Sequence, residues 1–383
     1  MGAATSSGER TRAFDVAVVG AGVTGVSVAW HLRRGGADVI VLERRGVAAG
    51  ASGVQPGGVR QQWSTPVNCR LARESARFYG SADDFLRGPV ELRFTRCGYL
   101  FVAHSARALA RLRENVAVQT ATGVPSRVVD SGEAARLVPG LATETVVGAS
   151  WCDEDGYVDR PQAVIAAFAR DAPVEIGEVA GLRRDNGGWR LSLLGDREIR
   201  AAAVVVAAGV DTPALVEPLG FELPIHGESR WIFLSNPIRE RLVEPLVVSA
   251  ERHFAAKHLA DGRVLASDLS ATGPSDAPAA QWLRTIRLAI RELLPVLEHV
   301  DFTVLAHGVY DVTPDRQAII GRVPGADGLW IAAGFSGHGF MLAPAVGRIL
   351  AEAIAGTGED EALAILDPAR FAEGRLVPEQ QVV

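Results

Sequence analysis

At 383 residues the chain is long for one domain and natural for two, and a hydrophobic content of 48% is ample for a buried core. A net charge of −6 and a pI near 5.8 argue against a nucleic-acid binder. Cys69, Cys97 and Cys152 form no CxxC pair, so neither a disulfide framework nor a zinc or other metal site is expected, and no apolar run is long enough to span a membrane.

Sparse, odd cysteines suit a reducing compartment, and a cytoplasmic location is the expectation. Residues 1–13 lack the apolar core of a signal peptide and read as a disordered leader. An apolar, β-rich run over 14–19 then predicts a strand buried on both faces. Gly20, Gly22 and Gly25 follow in GxGxxG spacing. The first permits a tight turn, the second lets backbone approach a pyrophosphate, and the third lets a helix pack on the strand. The helix runs to Arg34 and is stopped by Gly35 and Gly36; its N-terminus offers N–H groups and a partial positive charge to phosphate. A second strand over 38–42 ends at Glu43, where a carboxylate accepts ribose hydroxyls, with Arg44 and Arg45 beside it. Together these are a dinucleotide-binding unit, which by itself does not separate NAD from FAD.

Between 46 and 63, small residues at Gly50, Ser52, Gly53, Gly57 and Gly58 would let backbone lie against a flat ligand. A helix is expected over 68–86, a strand over 91–102, and helices over 105–115 and 131–137, the latter opened by Ser131. A strand over 146–151 leads to a turn-rich, solvated loop over 153–161 holding four carboxylates, then a helix through Arg170. Runs at 174–178, 181–184 and 189–194 read as a small meander turning at Asn186-Gly187. A buried strand over 203–208 meets a second glycine turn at Gly209. Strands over 223–234, 246–254, 262–268 and 302–310 suggest a second sheet, and a helix over 279–294 carries a core stripe of Trp282, Ile286, Ile290 and Leu293. A strand over 329–333, a glycine loop and a helix over 344–355, with Pro344 in its first turn, suggest a further backbone contact with the cofactor. From 371 the chain reads as a poorly ordered tail. Lys257 is the single lysine.

With these pieces in hand, the chain resembles the D-amino-acid oxidase superfamily of FAD enzymes, nearest the sarcosine oxidase and dimethylglycine dehydrogenase-like branch. The most specific segments are GlyGlyValArgGlnGlnTrp at 57–63, AspGlyTyrValAsp at 155–159, ThrProAspArgGlnAlaIleIleGly at 313–321 and AlaAlaGlyPheSerGlyHisGlyPhe at 332–340. The resemblance implies an α/β fold. A Rossmann-like, glutathione reductase-type FAD domain (14–86, 146–219 and 309–370) is interleaved with an antiparallel β-sheet roof domain (87–145 and 220–308), and 1–13 and 371–383 lie outside both.

It implies FAD contacts at Gly20, Gly22, Val23, Thr24, Gly25, Glu43, Arg44, Ser52, Gly57 and Gly58, at Val179, Ala208 and Gly209, and along Gly334, Ser336, Gly337, His338, Gly339, Phe340 and Met341. It also implies oxidation of the C–N bond of an amine or amino acid (secondary or N-methyl, cyclic or D-configured) by hydride transfer to flavin N5, giving an imine. The alternative is a flavoprotein of this fold acting as an assembly or partner subunit without its own turnover. The expected partner is a small-molecule amine or amino acid, and the electron acceptor, oxygen or another, stays open. Gly308 stands where related oxidases hold a flavin-linked cysteine, so FAD is expected to be non-covalent. Met341 stands where they hold a carboxylate-binding lysine, and Val264 falls loosely where they hold a lysine linked to oxygen activation. Arg60 resembles the arginine beside the ring, His338 is a candidate beside the flavin, and Arg230, His253, Lys257 and Tyr310 are pocket candidates on roof strands. As carboxylate anchors the order of expectation is Arg60, Lys257, Arg230.

Overall fold

The computed structural model describes residues 12–86, 91–272 and 279–381. Its first sheet is centred on the strand Ala13–Val19, which runs parallel to Val39–Glu43 on one side and to Arg197–Val206 on the other. Val174–Ile176 extends the sheet beyond Val39–Glu43, so it leaves the expected meander. The long Arg197–Val206 strand changes neighbours along its length. Its first half pairs antiparallel with Gly188–Leu193, and its last residues pair parallel with Leu329–Ala333. Valines dominate the central strands because both faces are covered.

One face is covered by the helix Val23–Arg34, which packs against the helix Gly339–Ala355. The crossing is close: a Cβ on Gly347 would lie 2.3 Å from Ser27 Oγ, and that hydroxyl donates to Ala343 O at 2.8 Å. The second helix begins at Gly339, five residues before Pro344, so the proline is internal. Having no N–H, Pro344 leaves the Phe340 carbonyl without its helical donor. Tyr79 Oη supplies the bond instead, at 2.6 Å.

Among the described residues the second sheet has eight strands in the order Phe302–Val312, His226–Ser235, Val264–Asp268, Phe254–His258, Leu246–Ser249, Tyr99–Ala103, Gly148–Cys152 and Arg127–Val129. The helix Ala279–Leu293 covers one face, and its Trp282, Ile286, Ile290 and Leu293 join Val264, Ala256 and Phe233 in one core. Gly148–Cys152 thus belongs to this roof sheet, so a cofactor-domain segment starting at 146 begins too early. The expected strand over 91–102 breaks at Gly98 (φ +82°), where a Cβ would enter the Trp151 ring. Phe94–Arg96 joins a small third sheet with Gly58–Val59 and Gly156–Val158, and Tyr99–Ala103 joins the roof.

The expected strand over 246–254 is likewise two strands, reversed by a turn ending at His253 (φ 49°). The expected helix over 68–86 divides at Ser81, and Asp130, not Ser131, caps Ser131–Leu137. The loop over 153–161 is not uniformly solvated, for it contains the buried strand Gly156–Val158 and the buried Asp155. The segment from 371 is not a loose tail: Glu379 and Gln381 are buried. Residues 1–11 of the expected leader, 87–90 and 382–383 lie outside the described residues.

Candidate active site

The site starts at the first glycine turn. Gly20 has φ +108°, and a Cβ there would lie 2.4 Å from Ala207 O. A Cβ on Gly25 would lie 2.0 Å from Gly20 O, so strand and helix meet only because both positions are glycine. Glu43 is fixed by Ala21 N–H on Oε2 and Arg45 N–H on Oε1, each at 2.9 Å. Arg44 reaches Asp211 at 2.6 Å. Ser52 Oγ accepts from Val23 N–H at 3.0 Å, and the first turn of the Val23–Arg34 helix carries no acidic side chain.

From this turn a cavity of about 920 Å³ runs under the roof sheet. Gly20, Gly22, Val23, Thr24, Glu43, Arg44, Ser52 and Gly58 line one stretch; Val179, Ala208 and Gly209 line another. Gly337, His338, Gly339, Phe340 and Met341 line a third, at the start of the Gly339–Ala355 helix. Four expected contacts do not line it. Gly25 packs helix on strand, and Gly57 (φ +77°) turns the chain against Val158 O. Gly334 N–H is held by Asp311 Oδ2 at 2.7 Å, and the buried Ser336 Oγ accepts from Thr313 N–H at 3.3 Å. These four shape the wall from behind.

The roof closes the cavity with Ile232, Leu246, Ala255, Leu265 and Leu269, and among them Arg230 and Tyr310. Arg230 pairs with Glu228 at 2.7 Å and lies 5.5 Å from the Tyr310 ring centre. Two candidates fall away. His253 is exposed at its turn. Lys257 is opposite Leu265 across the strand pair and so shares its face, yet it ends over the Tyr157 ring at 3.9 Å and does not line the cavity. Its ammonium has no hydrogen-bond partner among the described residues, and burial pulls its pKa down to about 7. Val264, next to Leu265, faces the helix-covered core, away from the cavity.

Arg60 lines the cavity but spends its guanidinium on the chain itself, donating to Gln62 O and, at 2.5 Å, to Gln381 O. It stacks on Trp63 with 3.6 Å from Cζ to the ring centre, and burial holds its pKa down to about 10. Trp63 in turn meets His338 edge-on. His338 is buried, its Nε2 has no partner among the described residues, and burial with the charges of Arg60 and Arg316 holds its pKa well below the ordinary value. The imidazole is therefore neutral at physiological pH.

A floor of backbone at three glycine turns, about 920 Å³ of space and a helix N-terminus at each end of it suit a flat, extended, phosphate-bearing dinucleotide. The model of the DAO family, described as FAD dependent oxidoreductase, matches residues 15–353. The chain belongs to the DAO family of FAD-dependent oxidoreductases. It is 30% identical to a glycine oxidase of Pseudomonas aeruginosa over 94% of this chain and 99% of the relative. To FAD-dependent oxidoreductase domain-containing protein 1 of Bos taurus it is 27% identical, over 89% of this chain and 81% of the relative. Among solved structures, L-proline dehydrogenase from P. horikoshii superposes with a TM-score of 0.88 at 28% identity, covering 96% of this chain and 100% of that one.

As a DAO-family enzyme the chain uses FAD, and the cradle just described fits it. Glu43 would take the ribose, the Val23–Arg34 helix the pyrophosphate, and the loop from Gly337 to Met341 the far end. Gly308 lines the cavity, and a Cβ there would lie 2.8 Å from Val54 Cγ2, so a side chain at this position would have to push the Val54 methyl aside. Sequence reasoning missed three residues. Asp155 is buried, accepts from Gln61 N–H at 2.7 Å and Gln62 Nε2 at 3.0 Å, and is raised to about 7 by burial. Glu379 accepts from Ser64 N–H at 2.8 Å, Thr65 Oγ1 at 2.8 Å and Asn68 Nδ2 at 3.1 Å. Tyr99 lines the cavity from the roof. Within AspGlyTyrValAsp the only signal was the glycine beside Asp155: a Cβ on Gly156 would lie 2.0 Å from Thr95 O.

Proposed function

We propose that the chain oxidises the C–N bond of an amino acid, with secondary and cyclic amino acids preferred, and holds its FAD non-covalently. The observation that carries this reading is the far end of the cavity. There an apolar roof of Ile232, Leu246, Leu265 and Leu269 faces the glycine loop at His338, with Arg230, Tyr310, Tyr99, Ser267 and His307 among the polar groups. Such an enclosure holds a small organic cation or zwitterion by shape and by a few placed polar atoms. Two relatives support the choice of substrate class, since one is named a glycine oxidase and another an L-proline dehydrogenase.

Bound FAD would supply the two-electron acceptor for a hydride from the substrate's α-carbon, leaving an imine. The chain's own work is orientation and electrostatics. The roof covers the end of the cavity with apolar side chains, which favours a dry site for the reacting carbon. Neutral His338 can hold or accept a hydrogen bond at Nε2 without adding a charge. The Gly339–Ala355 helix points an N-terminus with no side-chain cap into the cavity, where negative charge is favoured. No helix among the described residues is long and apolar enough to cross a membrane.

The test is anaerobic bleaching of the flavin by N-methylglycine, L-proline, glycine and D-alanine, followed by re-admission of air. Bleaching by at least one of them is expected. A flavin that stays oxidised with all four would overturn the reading.

A further inference from the structure

The roof end of the cavity contains an uncommitted hydrogen-bond donor. Tyr99 is 2% exposed, lines the cavity, and its Oη is buried with no partner among the described residues. Its position is tightly specified. A Cβ built on Gly58 would lie 2.2 Å from Tyr99 Oη and 3.7 Å from Met341 Cε. The hydroxyl therefore rests against glycine backbone, at a corner it shares with the tip of Met341. The strand behind it is held as well, because Gln62 Nε2 donates to Tyr99 O at 3.1 Å and also to Asp155. Burial pushes the phenol's pKa far up, so the group stays an O–H donor at neutral pH.

A buried polar group of this kind is normally paired. The neighbouring cations already have partners in the protein. Arg60 is committed to two backbone carbonyls, and Arg230 is ion-paired with Glu228, although its Nη1 makes no hydrogen bond among the described residues. Met341 offers no donor. Tyr99 Oη at this corner lies within the field of the Arg60 charge.

We propose that Tyr99 is a substrate-binding residue: its phenolic O–H donates to a carboxylate oxygen of the amino acid, in the corner between Gly58 and Met341. This rests on the amino-acid reading above. It is a specificity device, since it distinguishes an amino acid from the corresponding amine.

The test uses the FAD-loaded protein and Tyr99→Phe. Flavin absorbance is titrated with pyrrole-2-carboxylate and with pyrrole, a cyclic pair that differs by the carboxylate alone. The expected result is a Kd for pyrrole-2-carboxylate weakened roughly 10- to 100-fold in the variant, with pyrrole binding unchanged. FAD content and Tm should not fall, because the hydroxyl removed has no partner among the described residues. Equal weakening for both probes, or no weakening for either, would overturn the proposal, and so would a fall in Tm with loss of FAD. Failure of the underlying reading shows separately, in the wild type: none of the amino acids named above would bleach its flavin.

Discussion

The indole of Trp63 stands edge-on to the imidazole of His338, with ring centres 4.3 Å apart and planes at 79°. Arg60 covers the same indole from 3.6 Å. A cation and a histidine thus share one aromatic ring in a buried wall, and the histidine gives up its charge.

That has a consequence for stability against pH. In the unfolded chain His338 takes a proton below about pH 6.5. In the folded protein it stays neutral well below that point. The unfolded state then binds more protons, so this residue's contribution falls as pH drops below the ordinary histidine range. The Tm advantage of wild type over His338→Gln should narrow between pH 7.5 and pH 5. A pH-independent difference would rule this out.

Lys257→Met should stabilise the protein. The ammonium is buried without a hydrogen-bond partner, and replacing such a group with one of matching shape relieves about 1–3 kcal/mol. Contact with the Tyr157 ring offsets part of this. The lysine pKa falls from 10.5 to about 7 on folding, so the penalty is full below pH 7 and fades as pH rises towards 10.5. The Tm gain of the variant should shrink over that window. The substrate KM should stay near wild type, because Lys257 does not line the cavity.

Acid precipitation should release the flavin into the supernatant as intact FAD, since Gly308 offers no thiol for a covalent link. Gly25→Ala should yield nearly colourless protein. The added methyl would press on Gly20 O and lift the helix from the pyrophosphate turn. Absorbance near the flavin bands after gel filtration reads both outcomes.

Glu379→Ala should lower stability by about 2–4 kcal/mol, because the donors of Ser64, Thr65 and Asn68 lose a buried acceptor together. Glu379→Gln should cost less, since its amide oxygen can still accept. Equilibrium unfolding in urea measures the difference. If the alanine variant unfolds at the wild-type midpoint, the C-terminal segment contributes nothing to the wall it touches.

The cofactor half was legible because its chemistry constrains backbone. Gly20 and Gly25 are glycine for steric reasons that show directly as spacing. The roof half was not. Whether a strand residue faces the cavity depends on parity and register, which local pattern does not reveal. Val264 and Leu265 are adjacent, yet one faces the helix-covered core and the other the cavity. Lys257 shows the next difficulty: it is on the right face but ends over Tyr157. Composition misled in two places. Asp153, Glu154, Asp155 and Asp159 read together as a solvated run, although Asp155 alone is buried beside Gln61 and Gln62. Glu379 and Gln381 read as loose polar ends because their partners lie some 300 residues earlier in the chain. Pro344 suggested a helix start, and only the bond from Tyr79 to Phe340 O explains how the helix contains it.

The first strand, Ala13–Val19, takes its second neighbour from Arg197–Val206, and Arg60 takes a carbonyl from Gln381. On a ribosome the glycine turn therefore emerges long before the parts that complete it. A nascent chain holding only the first 170 residues has that strand unpaired along one edge and Arg60 short of an acceptor. FAD capture should consequently wait until the Arg197–Val206 strand and Gln381 have both been made, so that a chain cut short before them gathers no flavin.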